Sequence, residues 1–204
     1  NPHTDGCGCS GEAKDCGASE NLYSRIDTGR ITCLNEKEPG MGKNPIKTWD
    51  NRLESKTVLM SNEDDSDLLL HVPFVSQCKV KSFSMIGGAN TTTPTKLKIW
   101  VNRDDIDFSA VEDTPPTQEV DLCEDLTGEI FYPTLITKYQ NVSSLTLLFL
   151  NEDNEDQSII SFLCFRGEDL QHKREAVNVV YEAQANPADH KKITGEDSVS
   201  NSIQ

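Results

Sequence analysis

The side chains best suited to chemistry lie close together near the N-terminus. This cluster offers one imidazole and three thiolates, from His3, Cys7, Cys9 and Cys16. Four such groups could close a tetrahedral Zn²⁺ site. The Cys7-Gly8-Cys9 spacing leaves one residue between thiols where zinc knuckles usually have two or more, and no second pair follows at a fixed distance. A zinc site and a flexible, redox-exposed tail therefore both stay open, and no other cofactor is expected.

The remaining cysteines lie in or beside apolar, strand-like segments, at Cys33, Cys78, Cys123 and Cys164. The total of seven is odd, and the segment Asn1–Gly6 has neither the basic region nor the apolar core of a secretory signal. These features favour reduced thiols over a disulfide framework, with all four side chains buried as small hydrophobic groups. We therefore expect a cytoplasmic protein, with the nucleus as a second location.

The sequence carries no motif that indicates an enzyme. It contains no G-x-S-x-G elbow, no phosphate-binding G-x-x-x-x-G-K and no H-E-x-x-H zinc motif. Catalytic nucleophiles usually need a histidine base within hydrogen-bond reach, and His71 is the only histidine inside a strand-like segment. Its place in an apolar run predicts a structural residue whose ring finds a partner. We predict no catalytic residues.

The charge of the chain excludes two classes of partner. The formal net charge is −15 over 204 residues, and lysine and arginine are scattered. Binding phosphate requires clustered basic residues, so neither nucleic acid nor an anionic membrane is expected as a partner. The acidic run at 63–67 could offer oxygens to Ca²⁺, but it lacks the glycine and the distal glutamate of an EF-hand loop. We interpret it as a solvated turn.

The middle of the chain predicts an all-β domain. We expect a flexible, Cys/Gly-rich tail at 1–19 and a disordered tail at 193–204. Between them we expect one domain, 20–192, with its core in 20–182. Leu97, Ile99 and Val101 alternate with Lys98, Trp100 and Asn102, the period of a half-buried strand. Trp100 is out of phase with the apolar residues, so it is either exposed or covers a second face. Short strands separated by turns predict an antiparallel sandwich, over the runs 56–60, 68–72, 80–86, 97–101, 134–139, 145–150, 159–165 and 177–181. Only single helical turns are expected, at 20–25 or 171–175.

An ordered set of segments resembles the PITH domain. The set runs from Leu22-Tyr23-Ser24-Arg25-Ile26-Asp27 through Cys33-Leu34-Asn35-Glu36, Trp49-Asp50-Asn51-Arg52, Leu68-Leu69-Leu70-His71-Val72-Pro73-Phe74, Phe131-Tyr132-Pro133 and Gln140-Asn141-Val142-Ser143 to Phe165-Arg166-Gly167-Glu168. The resemblance covers about residues 20–182 and is closer to members of the family that lack a thioredoxin domain. It implies a jelly-roll β-sandwich of the galactose-binding-like type. It also implies association with the proteasome, and it implies no active site.

Three functional hypotheses follow. The first is a monomeric, non-catalytic protein-interaction module that binds the regulatory particle of the proteasome. The second is a small-ligand or glycan-binding jelly roll, which would require exposed aromatic platforms from Trp49 or Trp100. The third is a metal- or thiol-dependent regulatory protein built on the N-terminal cluster.

A short polar element beyond the last predicted strand is a candidate partner contact, through Asn186, Pro187, Asp189 and His190. Pro187 stiffens the segment and so lowers the entropy cost of ordering it on a partner. The imidazole of His190 can donate or accept a hydrogen bond. An inert tail is the alternative, because chain termini usually tolerate change.

Overall fold

A computed structural model describes residues 20–63, 65–152 and 157–170. In this part of the chain the secondary structure is almost entirely antiparallel strand. The strands are β1 (Thr32–Leu34), β2 (Leu59–Met60), β3 (Leu68–Gly87), β4 (Lys96–Val101), β5 (Gln118–Asp121), β6 (Tyr132–Pro133), β7 (Val142–Leu150) and β8 (Ile159–Asp169). The helices are short: α1 (Ala110–Asp113) and the 3₁₀ turns Tyr23–Arg25, Met41–Lys43, Trp49–Asn51 and Asn90–Thr92.

The long strand β3 organises the sheet, whose strand order is β2-β8-β3-β7-β4-β5. Its first half pairs with β1 and β7, and its second half pairs with β8 and β6. The pairing with β7 shifts register between Pro73 and Cys78. Proline has no N–H to donate to a ladder, so a break in pairing beside Pro73 is the expected place for the strand to change partners.

One main core joins the two halves of β3. Leu68, Leu70 and Val72 from the first half and Val80, Phe83 and Met85 from the second belong to the same buried cluster. Alternate residues of β7 and β4 complete it, including Leu145, Leu147, Phe149, Leu97 and Ile99. Because the two halves of the strand bury side chains against each other, the sheet folds into a sandwich. Each fully buried aliphatic side chain contributes roughly 1.5–3 kcal/mol.

The opposite face of β4 and β7 carries a second, smaller core. Trp100 is 1% exposed and packs with Leu69, Ile106 and Leu148 beneath α1. Its indole N–H donates to the carbonyl of Thr114 at 3.1 Å. The sequence pattern allowed Trp100 to be either exposed or packed on the second face of the strand. The structure shows that it packs on the second face.

Most predicted strands are present, with differences at two places. The runs 68–72 and 80–86 are one strand rather than two. The run 134–139 is not a strand: the chain leaves β6 at Pro133 and turns, with the N–H of Lys138 donating to the carbonyl of Leu135 at 2.8 Å. This turn buries Tyr139 and exposes Leu135 and Ile136, which a strand could not do with that spacing.

The helical expectations have mixed outcomes. The turn expected at 20–25 is the 3₁₀ turn Tyr23–Arg25, and α1 was not predicted. The predicted turn at 171–175 and the strand at 177–181 lie outside the described residues. None of the helices within 20–63, 65–152 and 157–170 has the length and apolar character needed to cross a bilayer.

Candidate functional site

An apolar groove opens on the surface where the loop after Trp49 faces the end of β3. We call it the leucine groove, lined by Leu53, Val58, Met60, Ile86, Leu126 and Ile159, with Arg52, Glu54 and Ser161 as polar neighbours. Its volume is about 400 Å³. Leu53 is 61% exposed and Leu126 is 55% exposed, which is unusual for leucines beside an apolar cavity.

The loop that presents Leu53 is held by a buried lysine. The ammonium of Lys47 donates to the carbonyl oxygens of Glu54 and Thr57, both at 2.6 Å. Lys47 is only 9% exposed, and burial lowers the pKa of its ammonium, while the charge of Glu54 opposes this shift. The loop 54–57 is thereby fixed from beneath, and Leu53 projects from an ordered segment.

The turn that presents Leu126 is held by a buried carboxylate. One oxygen of Asp125 accepts from the N–H groups of Thr127 (2.9 Å) and Gly128 (2.8 Å) and from the Thr127 hydroxyl (3.1 Å). The other oxygen accepts from the N–H of Ile130 at 2.7 Å. Gly128 adopts φ of 76°, a left-handed conformation that favours glycine, and its carbonyl accepts from the hydroxyl of Ser84 at 2.9 Å. The turn is therefore fastened both to itself and to β3.

An aromatic cluster with two guanidinium groups joins these loops. Trp49 stacks on Phe131 with ring centroids 5.7 Å apart and meets the edge of Phe162 at 6.0 Å. The guanidinium of Arg52 lies 4.4 Å from the Trp49 ring and donates to the carbonyl of Thr127 at 3.0 Å. Arg166 covers Phe131 in the same way at 3.9 Å. Arg52 thus links the Leu53 loop to the Leu126 turn, so the two leucines keep a fixed spacing.

The side chains that line the leucine groove suit it to binding an apolar group. Its lining includes no histidine or cysteine, and its ionisable groups are Arg52, which is engaged as above, and Glu54. Two exposed aliphatic side chains on pre-organised loops can pack against an apolar side chain of a partner at low entropic cost.

The structure does not describe the site residues that the sequence predicts. His3, Cys7, Cys9 and Cys16, and likewise Asn186, Pro187, Asp189 and His190, are outside the described residues. Within the part of the chain that is described, no three His, Cys, Asp or Glu side chains come together as metal ligands.

No disulfide joins the cysteines of the described residues, Cys33, Cys78, Cys123 and Cys164. Cys78 and Cys164 are buried as predicted, and Cys33 is partly buried. Burial raises the pKa of the Cys33 thiol to about 12, with a contribution from Glu36, and burial also raises the pKa of Cys78. The prediction is wrong for Cys123, which is exposed because it follows β5 in a segment without regular secondary structure.

His71 is a partly buried strand residue, as predicted. Its Nδ1 lies 3.0 Å from the hydroxyl of Thr146 on the neighbouring strand β7. Neither tryptophan supplies an open platform, because Trp100 is buried and the Trp49 ring contacts Phe131, Phe162 and Arg52.

Sequence reasoning missed Leu53 and Leu126. Each is an isolated leucine in a polar segment, Asn51-Arg52-Leu53-Glu54-Ser55 and Glu124-Asp125-Leu126-Thr127-Gly128. The sequence did offer one signal, a large apolar residue in a polar turn. Such a residue has no apolar neighbours in the sequence to pack with, which indicates exposure and a candidate binding contact.

The fold is a jelly-roll β-sandwich of the galactose-binding-like type. Its defining features are the long strand β3, which changes partners along its length, the antiparallel pairing and the single main core. The chain belongs to the PITH domain family, whose model matches residues 12–185. This family is not a class of enzymes. PITH domain-containing protein 1 of Dictyostelium discoideum is 38% identical over 177 residues, which is 87% of each chain. The protein of the same name from Homo sapiens is 32% identical over 191 residues, 91% of this chain and 90% of the relative.

Solved structures agree on the fold. A family 32 carbohydrate-binding module of NanJ from C. perfringens, in complex with galactose, has a TM-score of 0.50 at 13% identity, over 72% of this chain and 98% of that chain. A pair of such modules from Clostridium perfringens ZmpB, in complex with GalNAc, has a TM-score of 0.53 at 13% identity, over 74% of this chain and 36% of that chain. At this level of identity the likeness concerns the fold alone.

Proposed function

We propose that this chain is a non-catalytic protein-interaction module that binds the regulatory particle of the proteasome, as a monomer, in the cytosol or nucleus. The leucine groove carries the proposal of a protein-binding surface, because Leu53 and Leu126 stay exposed on loops that buried polar groups hold in place. The choice of partner is supported by the resemblance to the PITH domain.

The occupant of the groove is an apolar side chain of the partner, flanked by basic residues. Exposed carboxylates lie within three positions of Leu53 or Leu126 in the sequence, at Asp50, Glu54, Glu124 and Glu129, against the cations Arg52 and Lys56. The whole chain adds a net charge of −15. The excess of acidic residues in these two segments and in the whole chain favours a basic partner segment with one buried aliphatic or aromatic anchor.

Paired pull-downs test the groove. Leu53→Asp or Leu126→Asp should reduce recovery of regulatory-particle subunits from a reducing cytosolic lysate by about tenfold or more, since each removes the burial of a leucine against the partner. Ile136→Asp is the matched control, because Ile136 is 59% exposed and lies outside the groove. Equal losses in all three variants, or no recovery by the intact protein at physiological salt, would contradict the proposal.

The C-terminal element is proposed to assist. A protein ending at Glu182, and His190→Ala, are compared with the intact chain in the same pull-down. Unchanged recovery with the truncated protein would assign the contact to the sandwich alone.

Glycan binding is the alternative, because two proteins with a similar fold are carbohydrate-binding modules in complex with galactose or GalNAc. The covered rings of Trp49 and Trp100 argue against it, because sugar sites commonly use an open aromatic face. Binding to galactose or GalNAc on a glycan array, abolished by a substitution in the sandwich, would favour this alternative instead.

A further inference from the structure

A second groove lies on the face of β3 and β7 that points away from the main core. We call it the His71 groove, lined by Thr32, Leu34, Leu69, His71, Asp104 and Ile106, and its volume is about 320 Å³. Thr32, His71 and Thr146 are direct neighbours across β1, β3 and β7 and form a lateral row of polar groups. The groove shares no lining residue with the leucine groove.

The hydrogen bonds of the row fix the tautomer of His71. The hydroxyl of Thr146 contacts both Nδ1 of His71 and the carbonyl oxygen of Arg103. A carbonyl can only accept, so the single hydroxyl hydrogen of Thr146 is donated to Arg103. Nδ1 of His71 must then carry a hydrogen and donate to the Thr146 oxygen. The neutral ring consequently presents Nε2 as an unprotonated acceptor.

The loop that follows β4 supplies one carboxylate that has no partner among the described residues. Asp105 is held by Arg103 through two bonds of 2.6 and 2.8 Å. Asp107 accepts from the hydroxyl of Ser109 at 2.7 Å and from the N–H of Ala110 at 2.8 Å. Asp104 makes no comparable bond within 20–63, 65–152 and 157–170 and lines the groove near His71, whose charge state it influences.

The floor and wall of the groove are aliphatic. Leu69 and Ile106 are buried, and Leu34 on the edge strand β1 is 45% exposed. An acceptor nitrogen, a carboxylate and an aliphatic surface together match a ligand with an alkyl stem and a cationic head that donates hydrogen bonds.

We propose that the His71 groove binds a lysine side chain of a protein partner, with the ammonium donating to Nε2 of His71 and to the carboxylate of Asp104 while the stem packs on Leu34 and Ile106. A compact ammonium with three donors can serve both acceptors at once. The proposal goes beyond the function proposed above, and it does not depend on the leucine groove.

The proposal implies a pH dependence. Burial lowers the pKa of His71; Asp104 opposes this shift and Arg30 adds to it, so the ring is neutral at pH 7. The other charged groups at the groove are Asp105, which Arg103 neutralises, and Asp107; the face of β7 contributes only the uncharged Thr146. Protonation would turn Nε2 into a donor and add a positive charge, so ammonium binding should be lost as the pH falls through the pKa of His71.

Nuclear magnetic resonance of the full chain tests the site. Nα-acetyl-lysine N-methylamide is titrated while the imidazole nitrogen shifts of His71 are followed at pH 7. A saturable shift is expected below about 50 mM, where a millimolar site would be filled. The norleucine analogue has the stem without the ammonium and should give no saturable shift.

Asp104→Asn should weaken binding by about tenfold, the usual worth of a hydrogen bond to a charged group. Asp113→Asn is the matched control, since Asp113 is exposed in the same segment but does not line the groove. Both positions are exposed, and circular dichroism verifies that both variants fold. Saturable binding of the norleucine analogue, equal affinities of the two variants, or no shift with the lysine compound would overturn the proposal.

Discussion

Replacement of Asp125 should reveal how firmly the Leu126 turn is held. Asp125→Ala removes the acceptor of three backbone N–H groups, those of Thr127, Gly128 and Ile130. An unsatisfied N–H that is partly or fully buried costs about 1 kcal/mol or more, so the loss in unfolding free energy should be about 3 kcal/mol. For a domain of this size that corresponds to a fall in Tm of roughly 6–12 °C.

Asp125→Asn should cost less, about 1–2 kcal/mol, because the amide oxygen can keep the bonds of one carboxylate oxygen while its NH₂ faces the N–H of Ile130. Urea titration measures both variants, with an unchanged m-value as the sign that only stability has changed. Asp50→Ala is the control at an exposed aspartate and should stay within about 0.5 kcal/mol of the parent. A loss below about 1 kcal/mol for Asp125→Ala, or a larger loss for asparagine than for alanine, would refute the reasoning.

Three further outcomes are expected. Burial lowers the pKa of His71 below its ordinary 6.5, so at lower pH the unfolded chain binds a proton that the folded chain does not, and the free energy of unfolding should fall as the pH drops below 6.5. In urea titrations at several pH values, His71→Gln should flatten this pH dependence. An unchanged pH dependence would contradict the lowered pKa of His71. Gly167→Ala would place its Cβ 1.8 Å from the carbonyl oxygen of Lys79, so it should lower the unfolding free energy by more than about 3 kcal/mol or abolish folding. In the control Gly29→Ala the nearest atom to the new Cβ is 3.5 Å away, so thermal melting should find nearly unchanged stability. Native alkylation followed by mass spectrometry should label the exposed Cys123 before Cys33, whose thiol pKa is raised to about 12, and faster labelling of Cys33 would exclude its burial.

The sandwich could be predicted because its strands are marked locally. Leu97, Ile99 and Val101 alternate with more polar residues. This two-residue repeat of apolar side chains is visible in the sequence of any strand that buries one face more deeply than the other. The joining of 68–72 and 80–86 into one strand could not be predicted, since Pro73 and the polar pair Ser76-Gln77 interrupt the apolar pattern. The exposure of Leu135 and Ile136 depends on the turn after Pro133, and apolar content alone does not determine it.

The candidate site was beyond sequence reasoning for a different reason. The leucine groove combines residues from Arg52 to Ser161, so its existence depends on which loops the fold brings together. Glycine at 128 is typical of a turn, but the role of Asp125 in holding Leu126 outward follows from hydrogen bonds that only the three-dimensional arrangement defines.

The shared strand β3 has a consequence for synthesis on the ribosome. Its second half pairs with β8. The last residue of β8, Asp169, follows the last residue of β3, Gly87, by 82 positions in the sequence. At translation rates of about 5–20 residues per second, roughly 4–16 seconds pass before β8 follows β3 out of the exit tunnel. During that interval the second half of β3 lacks its partner β8, and an unpaired strand edge can template association with another chain. Pro73 lies just before that half and has no N–H to donate, so the residue beside which the strand changes partners also limits how far such an association could extend along β3.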